Sequence, residues 1–300
     1  MTLRLNIICG KAMLLACGAI LTLFLMSPQS AWSTGAVPGD FQTILNHRSN
    51  ALTIWNYTGN QNIYVFDFPG LILQGRTFNR LTQMTEQVQT GAGYPRVLSN
   101  EELLAHMEAI RRTQANFAFG HDALVSELVQ FYNLADRDKI ELFPEELVLR
   151  DFLLGNGLIK TWRGFYQALQ PDVIILSIPQ VQDKKADEPR VSELAREAIF
   201  THEISHGEYY TNPHFANYCR AFWSQTLTDA QRQLFLKFLA NYNYAVDQGE
   251  MIVNEMQAYL MFTPDPLSFS ASRLGVTEEE LEKMREAFRK GKPPTRLPLR

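Results

Sequence analysis

The chain has little cysteine, and it lacks any long apolar run beyond its first 33 residues. Of its three cysteines, Cys9 and Cys17 lie in that N-terminal segment, which leaves Cys219 alone in the remainder. A lone cysteine cannot form an internal disulfide, so a disulfide-stapled scaffold is excluded. No later apolar run approaches the roughly 20 residues that a membrane helix needs. We therefore expect no membrane span once this segment is removed.

An excess of basic charge and a phosphate-binding loop are also missing. The 300 residues carry 28 Lys and Arg against 32 Asp and Glu, a formal net charge of −4. An acidic chain of this kind is not expected to bind nucleic acid. Without a glycine-rich phosphate loop, nucleotide binding is not indicated either. With 46% hydrophobic and 20% charged residues, the composition is that of a globular protein with a sizeable core.

The first 33 residues have the three regions of a secretory signal peptide. Residues 1–11 carry positive charge, residues 12–26 are apolar, and residues 27–33 are small and polar. The apolar run is shorter than a comfortable membrane span. We therefore predict that residues 1–33 are a signal peptide and that the protein is exported by a bacterium to the periplasm or beyond. An uncleaved signal that anchors the protein in the membrane is the lesser alternative.

The rest of the chain is typical of one α+β domain, mostly helical, over residues 34–288, with a disordered tail at 289–300. Short β-branched runs predict a small sheet, and the clearest strand is residues 173–178. Helical patterns cover residues 123–135 and 191–210, and further helix starts are expected where a capping residue precedes Glu or Gln by three positions. These starts are at Ser99, Thr228, Asp247 and Thr277.

The most informative feature is the pentapeptide His202-Glu203-Ile204-Ser205-His206 in a helical context. In a chain of this composition, the HExxH pattern is expected by chance on the order of 0.01 times. Histidines four apart lie one helical turn apart, so both imidazoles can bind one tetrahedral Zn²⁺. Glu203 then lies beside the metal, where it can act as the general base toward a water molecule. The alternative is a pair of surface histidines on an amphipathic helix.

A catalytic zinc site needs a third protein ligand. The metzincin pattern would place glycine and histidine at positions 209 and 212, where this chain has Tyr209 and Asn212. That class is therefore excluded. Three other candidates lie near the motif or downstream of it: Glu208, His214 and Glu250.

Together with Asn254-Glu255, the motif resembles the gluzincin zinc peptidases, which are thermolysin-like in the broadest sense. In that family a second helix after the HExxH helix supplies Asn-Glu, and its glutamate is the third ligand. The resemblance covers about residues 171–262 and implies a zincin-like fold, with Glu255 as the ligand and Asn254 beside it. The segments around Gly207–Pro213 and Met261–Asp265 also resemble an uncharacterised family of exported bacterial HExxH proteins.

Three further expectations concern the surroundings of the metal. Gluzincins often carry an Asp four residues after the ligand glutamate, and Tyr259 stands there in this chain, so its hydroxyl is expected to accept the N–H of a zinc-bound histidine. Tyr210 shares the metal face and is a candidate donor to the oxyanion, with Tyr242 and Tyr244 as rivals. The strand at 173–178 resembles the edge strand along which zincins align extended peptides, the alternative being a core strand.

The sequence thus predicts an exported Zn²⁺-dependent hydrolase, a metallopeptidase acting on a peptide or protein substrate. Its metal ligands are predicted to be His202, His206 and Glu255, and Glu203 its catalytic base. A second hypothesis is a catalytically silent zinc-binding protein, or an envelope protein that binds partners, on the same fold.

Overall fold

The computed structural model describes residues 35–87 and 95–297. The described residues all belong to one compact unit. The predicted signal peptide, residues 1–33, lies outside the described residues. No helix in the described ranges is long and apolar enough to cross a bilayer.

The strands form a five-stranded mixed sheet and a separate two-stranded hairpin. In the large sheet the order is β1-β2-β3-β7-β4, with β4 antiparallel to β7 at one edge. The hairpin pairs β5 with β6. The strands are β1 (Val37–Gly39), β2 (Thr53–Tyr57), β3 (Ile63–Phe68), β4 (His121–Leu124), β5 (Ile159–Trp162), β6 (Phe165–Ala168) and β7 (Ile174–Pro179).

Helices cover both faces of the sheet, and the described part of the chain is α+β and mostly helical, as the sequence predicts. One π-helical turn, Phe222–Thr226, follows α7. The helices are α1 (Phe41–Asn46), α2 (Leu71–Thr85), α3 (Asn100–Ala109), α4 (Val125–Asp138), α5 (Pro144–Gly155), α6 (Glu193–Thr211), α7 (Pro213–Ala221), α8 (Asp229–Ala240), α9 (Gly249–Phe262), α10 (Ala271–Leu274) and α11 (Glu278–Gly291).

Alternation along β7 divides the apolar core between the two faces of the sheet. Ile174, Leu176 and Ile178 pack with the apolar residues of α6 and α9, whereas Ile175 packs with those of α2, α4 and α5. Successive side chains of a strand point to opposite faces, so a strand with apolar residues on both faces must be covered on both sides. This strand is buried along its whole length.

The strand 173–178 is therefore not an edge strand, contrary to the expectation from the zincin resemblance. It lies between β3 and β4, and the edge position belongs to β4. The sequence pattern assigned residue 123 onward to a helix, but His121–Leu124 is a strand and α4 begins only at Val125. Four residues are too few to show alternation against the helical pattern that follows.

Local capping signals locate α6, the helix that carries the HExxH motif. The Ser192 hydroxyl accepts from the Ala195 N–H at 3.1 Å, and Pro213 begins the next helix, so α6 ends at Thr211. A buried salt bridge anchors the first turn of α6 to the sheet, because Arg196 donates to both carboxylate oxygens of Asp67 at 2.7 and 3.0 Å. The helix that carries the motif is thus anchored to β3 by a buried ion pair.

The capping boxes at Ser99, Thr228 and Thr277 are confirmed. The one expected at Asp247 does not form, because α9 begins at Gly249 and the Glu250 carboxylate binds Arg220 and the Tyr209 hydroxyl instead. At the C terminus, α11 continues to Gly291, into the segment expected to be a disordered tail, and Leu297 is buried in the core.

Candidate metal centre and active site

Helices α6 and α9 bring three expected ligands together. His202 and His206 lie one turn apart on α6, and Glu255 faces them from α9. The two Nε2 atoms are each 3.6 Å from a different oxygen of the Glu255 carboxylate. Ligand atoms of a tetrahedral zinc site are roughly 3.4 Å apart, given bonds of about 2.0–2.1 Å. The spacing therefore suits a Zn²⁺ ion between them.

The hydrogen bonds around His202 define which of its ring nitrogens is free. The Thr263 hydroxyl donates to the Ala258 carbonyl at 3.0 Å, so its oxygen must accept from His202 Nδ1, at 2.8 Å. Burial lowers the pKa of His202 to about 4, so the ring is neutral and its Nε2 carries a lone pair. That lone pair faces Glu255 Oε2 at 3.6 Å, and a cation between the two atoms would be stabilised by both.

Glu255 itself is buried, and its Oε2 atom has no hydrogen-bond partner among the described residues. Burial raises the pKa of Glu255 to about 7, His206 lowers it, and the charge of Asp122 raises it. A buried polar atom normally has a hydrogen-bond partner, and leaving this oxygen without one is costly. The donor set of two imidazoles and one carboxylate matches a catalytic zinc site.

The other candidates for the third ligand are engaged elsewhere or lie outside the cluster. Glu208 accepts from Asn212 at 2.6 Å, and Glu250 forms an exposed ion pair with Arg220. His214 is exposed at the start of α7.

Glu203 lines a cavity of about 430 Å³ together with the three expected ligands. Its side chain is buried, and burial raises its pKa well above the usual range, with the charges of Asp122 and Glu255 raising it further. Beside it, Asp122 is a residue that the sequence analysis missed. The ligand atoms of Asp122, Glu203 and His206 all lie within 4.8 Å of one another, so they form a second group that could bind a cation.

Glu86 adds a further carboxylate to the lining of this cavity. Burial raises its pKa well above the usual range, and the charges of Asp122, Glu255 and Glu203 raise it further. The cavity is therefore lined by carboxylates that disfavour one another's ionisation. Nothing in the local sequence identifies Glu86, since it lies just beyond the end of α2, far from the motif in the chain.

Gly120 brings the sheet edge against Glu203. A Cβ atom built on Gly120 would lie 2.1 Å from Glu203 Oε1 and 2.6 Å from Cδ. Any side chain at this position would displace the carboxylate. The absence of a side chain at Gly120, just before β4, therefore leaves the space that the Glu203 carboxylate occupies.

Tyr259 does not have the role expected of it. Its ring packs edge-on against His202, with ring centroids 4.7 Å apart, and the His202 Nδ1 hydrogen bond goes to Thr263 instead. With the ring itself beside the imidazole, the hydroxyl extends past it toward Tyr244. Thr263, directly after α9, lies in the segment Met261–Asp265 that the sequence analysis singled out, but no role was expected of it.

The expected oxyanion donor, Tyr210, is not among the residues that line the cavity, whereas its rivals Tyr242 and Tyr244 are. The Tyr244 hydroxyl faces Glu255 and lowers its pKa. Asn254 faces the Tyr210 hydroxyl and accepts from Gln257 at 3.2 Å, so it does not contact the ligand cluster through these bonds.

Gln257 links the two ligand-bearing helices. Its amide donates to the Ser205 hydroxyl at 3.2 Å, and Ser205 donates to the His202 carbonyl at 2.6 Å.

Comparison of the chain with known protein families, curated proteins and solved structures finds no match.

Proposed function

We propose that the protein is a Zn²⁺-dependent hydrolase of the metallopeptidase type. The observation that supports this most directly is the approach of His202 Nε2 and His206 Nε2 to Glu255 at 3.6 Å each, with His202 oriented by Thr263. A zinc ion held by these three residues would supply a Lewis acid that polarises the scissile carbonyl and acidifies a water molecule.

Glu203 is the catalytic base of the proposed reaction. Its carboxylate borders the ligand cluster, and its raised pKa makes the ionised carboxylate a stronger proton acceptor. In the first step Glu203 takes a proton from the attacking water. In the second it delivers that proton to the leaving amine.

An extended peptide is the substrate that the sheet edge favours. Residues Phe119, Gly120, His121 and Asp122 line the cavity, and β4 has β7 on one side only among the described strands. A peptide that pairs with the open side of β4 by backbone hydrogen bonds would lie across Glu203. Such pairing selects little for side chains, so we propose a broad rather than a sequence-specific peptidase.

The test combines metal analysis with a peptide-library digest. The purified protein should contain one zinc per chain and cleave peptides, and a chelator should abolish cleavage. Glu203→Gln should keep the zinc and lose hydrolysis. Glu255→Ala should lower zinc affinity far more than the control Glu250→Ala, which removes an exposed ion pair with Arg220 and the hydrogen bond from Tyr209.

Three results would contradict the proposal. If Glu255→Ala and Glu250→Ala bind zinc equally, the third ligand is wrong. If Glu203→Gln leaves cleavage unchanged, the assigned base is wrong. If zinc binds but no peptide is cleaved, the protein is the silent zinc-binding protein of the second hypothesis.

A further inference from the structure

The β5–β6 hairpin presents aromatic and basic side chains to solvent, and the proposed hydrolase does not use them. Trp162 and Phe165 are directly opposite in the ladder and are 53% and 62% exposed. Leu169, just after the hairpin, is 49% exposed. Aromatic side chains of this size are usually covered, and a group of them at one point indicates an interaction surface.

The two faces of the hairpin differ in what they contact. Opposite residues of an antiparallel pair share a face, so Lys160, Trp162, Phe165 and Gln167 form the outer one, and all four are exposed. The inner face packs on α4, where the ring centroids of Tyr166 and Tyr132 are 5.8 Å apart, and the Asn133 side chain binds the backbone N–H and carbonyl of Tyr166 at 2.8 and 2.9 Å. The outer face is thus presented on a supported element.

The tight turn between β5 and β6 places the Arg163 guanidinium against the exposed Trp162 ring. Arg163 and Gly164 have positive φ angles of 51° and 82°, which is the backbone of a type I′ hairpin turn. The Arg163 guanidinium lies 5.3 Å from the centre of the Trp162 ring. The hairpin, residues 159–168, has Lys160 and Arg163 and no acidic residue, although the whole chain carries a net charge of −4.

From this charge pattern we propose that the hairpin tip binds an anionic lipid surface. Trp and Phe are suited to the headgroup region of a bilayer, and Lys or Arg beside them are attracted to anionic lipids. Three exposed apolar side chains are too few for a stable protein–protein interface, which buries about 1,200–2,000 Å². The same small tip is sufficient for weak, reversible, salt-dependent attachment to a membrane.

The experiment is vesicle co-sedimentation of the protein without its N-terminal apolar run, as residues 32–300. Vesicles of phosphatidylcholine with 30% phosphatidylserine are compared with pure phosphatidylcholine, at low and high salt. The protein should bind only the anionic vesicles, and salt should weaken binding. Trp162→Ser/Phe165→Ser and, separately, Lys160→Gln/Arg163→Gln should each reduce the bound fraction at least tenfold.

The control is Leu104→Ser/Leu194→Ser, which removes two exposed apolar side chains from other elements and should bind as the unmodified protein does. The proposal is overturned if the control loses binding equally, if the two vesicle types bind alike, or if none bind. It is also overturned if the aromatic variant instead converts a dimer to a monomer in sedimentation equilibrium. Should the aromatic variant unfold, the charge variant decides the question alone. Peptidase activity on soluble peptides should be unchanged in every variant, so this test is separate from that of the proposed hydrolase.

Discussion

Replacing Gly120 by alanine tests whether the sheet edge positions Glu203. The added Cβ would lie 2.1 Å from Glu203 Oε1, against a normal carbon–oxygen contact of about 3.2 Å. The carboxylate must therefore move by about 1 Å. A displacement of this size at a catalytic group lowers the rate about 100-fold, or roughly 2.7 kcal/mol in the activation free energy.

The assay measures kcat and zinc affinity side by side, on a peptide taken from the library digest. Because Glu203 is not a ligand in the proposed site, the zinc affinity of Gly120→Ala should stay within about threefold of the unmodified protein while kcat falls about 100-fold. Gly155→Ala is the matched control, since a Cβ there meets nothing within 4 Å. It should leave both quantities unchanged.

A double variant identifies the group through which the alanine acts. If Gly120→Ala acts only by displacing Glu203, it should add little to the loss that Glu203→Gln already causes. The reasoning is refuted if Gly120→Ala retains full kcat. It is refuted equally if zinc affinity falls in step with activity, because the strand would then be disturbing the metal ligands rather than the base.

Three further variants test the elements that support the site. Thr263→Val removes the acceptor for His202 Nδ1 and should weaken zinc binding about 10–100-fold in a chelator competition, whereas Thr263→Ser should not; equal affinities would contradict the assigned tautomer. Arg196→Met removes the guanidinium from the buried Asp67 carboxylate, which keeps its contact with His47, and should lower the free energy of unfolding in urea by about 3–5 kcal/mol; a loss below about 1 kcal/mol would show that the pair does not anchor α6. Burial lowers the pKa of His121 to about 3, whereas its pKa in the unfolded state is near 6.5. Between these two values the unfolded state binds more protons, so the free energy of unfolding decreases as the pH is lowered. In the metal-free protein, His121→Gln should reduce that slope by up to about 1.4 kcal/mol per pH unit between pH 6.5 and pH 3, and identical slopes would count against a buried neutral histidine.

The ligand-bearing part of α6 could be predicted because its signals are local. Ser192 caps the helix, Pro213 starts the next one, and the spacing of His202 and His206 places both on one face. Glu255 needed more than spacing, since geometry alone left other acidic residues open. It came from the resemblance to gluzincins.

The features of the fold that could not be predicted from the sequence depend on contacts between segments that are distant in the chain. Whether residues 173–178 lie at the edge or centre of a sheet is decided by which strands pair on either side, and the β4 partner is too short to be recognised. The Asp247 capping box failed for a similar reason, because Arg220 on another helix binds the Glu250 carboxylate. Local propensity is overridden wherever a tertiary contact satisfies the same group.

The electrostatics of the cavity explain why this arrangement points to a cation rather than to ordinary packing. Burial raises the pKa of Glu86, Glu203 and Glu255 above their usual values, and Asp122 adds to each shift. Structural carboxylates in a core are normally neutralised by a basic partner, as Asp67 is by Arg196. Among the described residues no Lys or Arg pairs with these three glutamates, and the imidazole of His202 is neutral. A divalent ion bound here would stabilise the ionised forms of these buried carboxylates, and in the proposed reaction it would acidify the water from which Glu203 takes a proton.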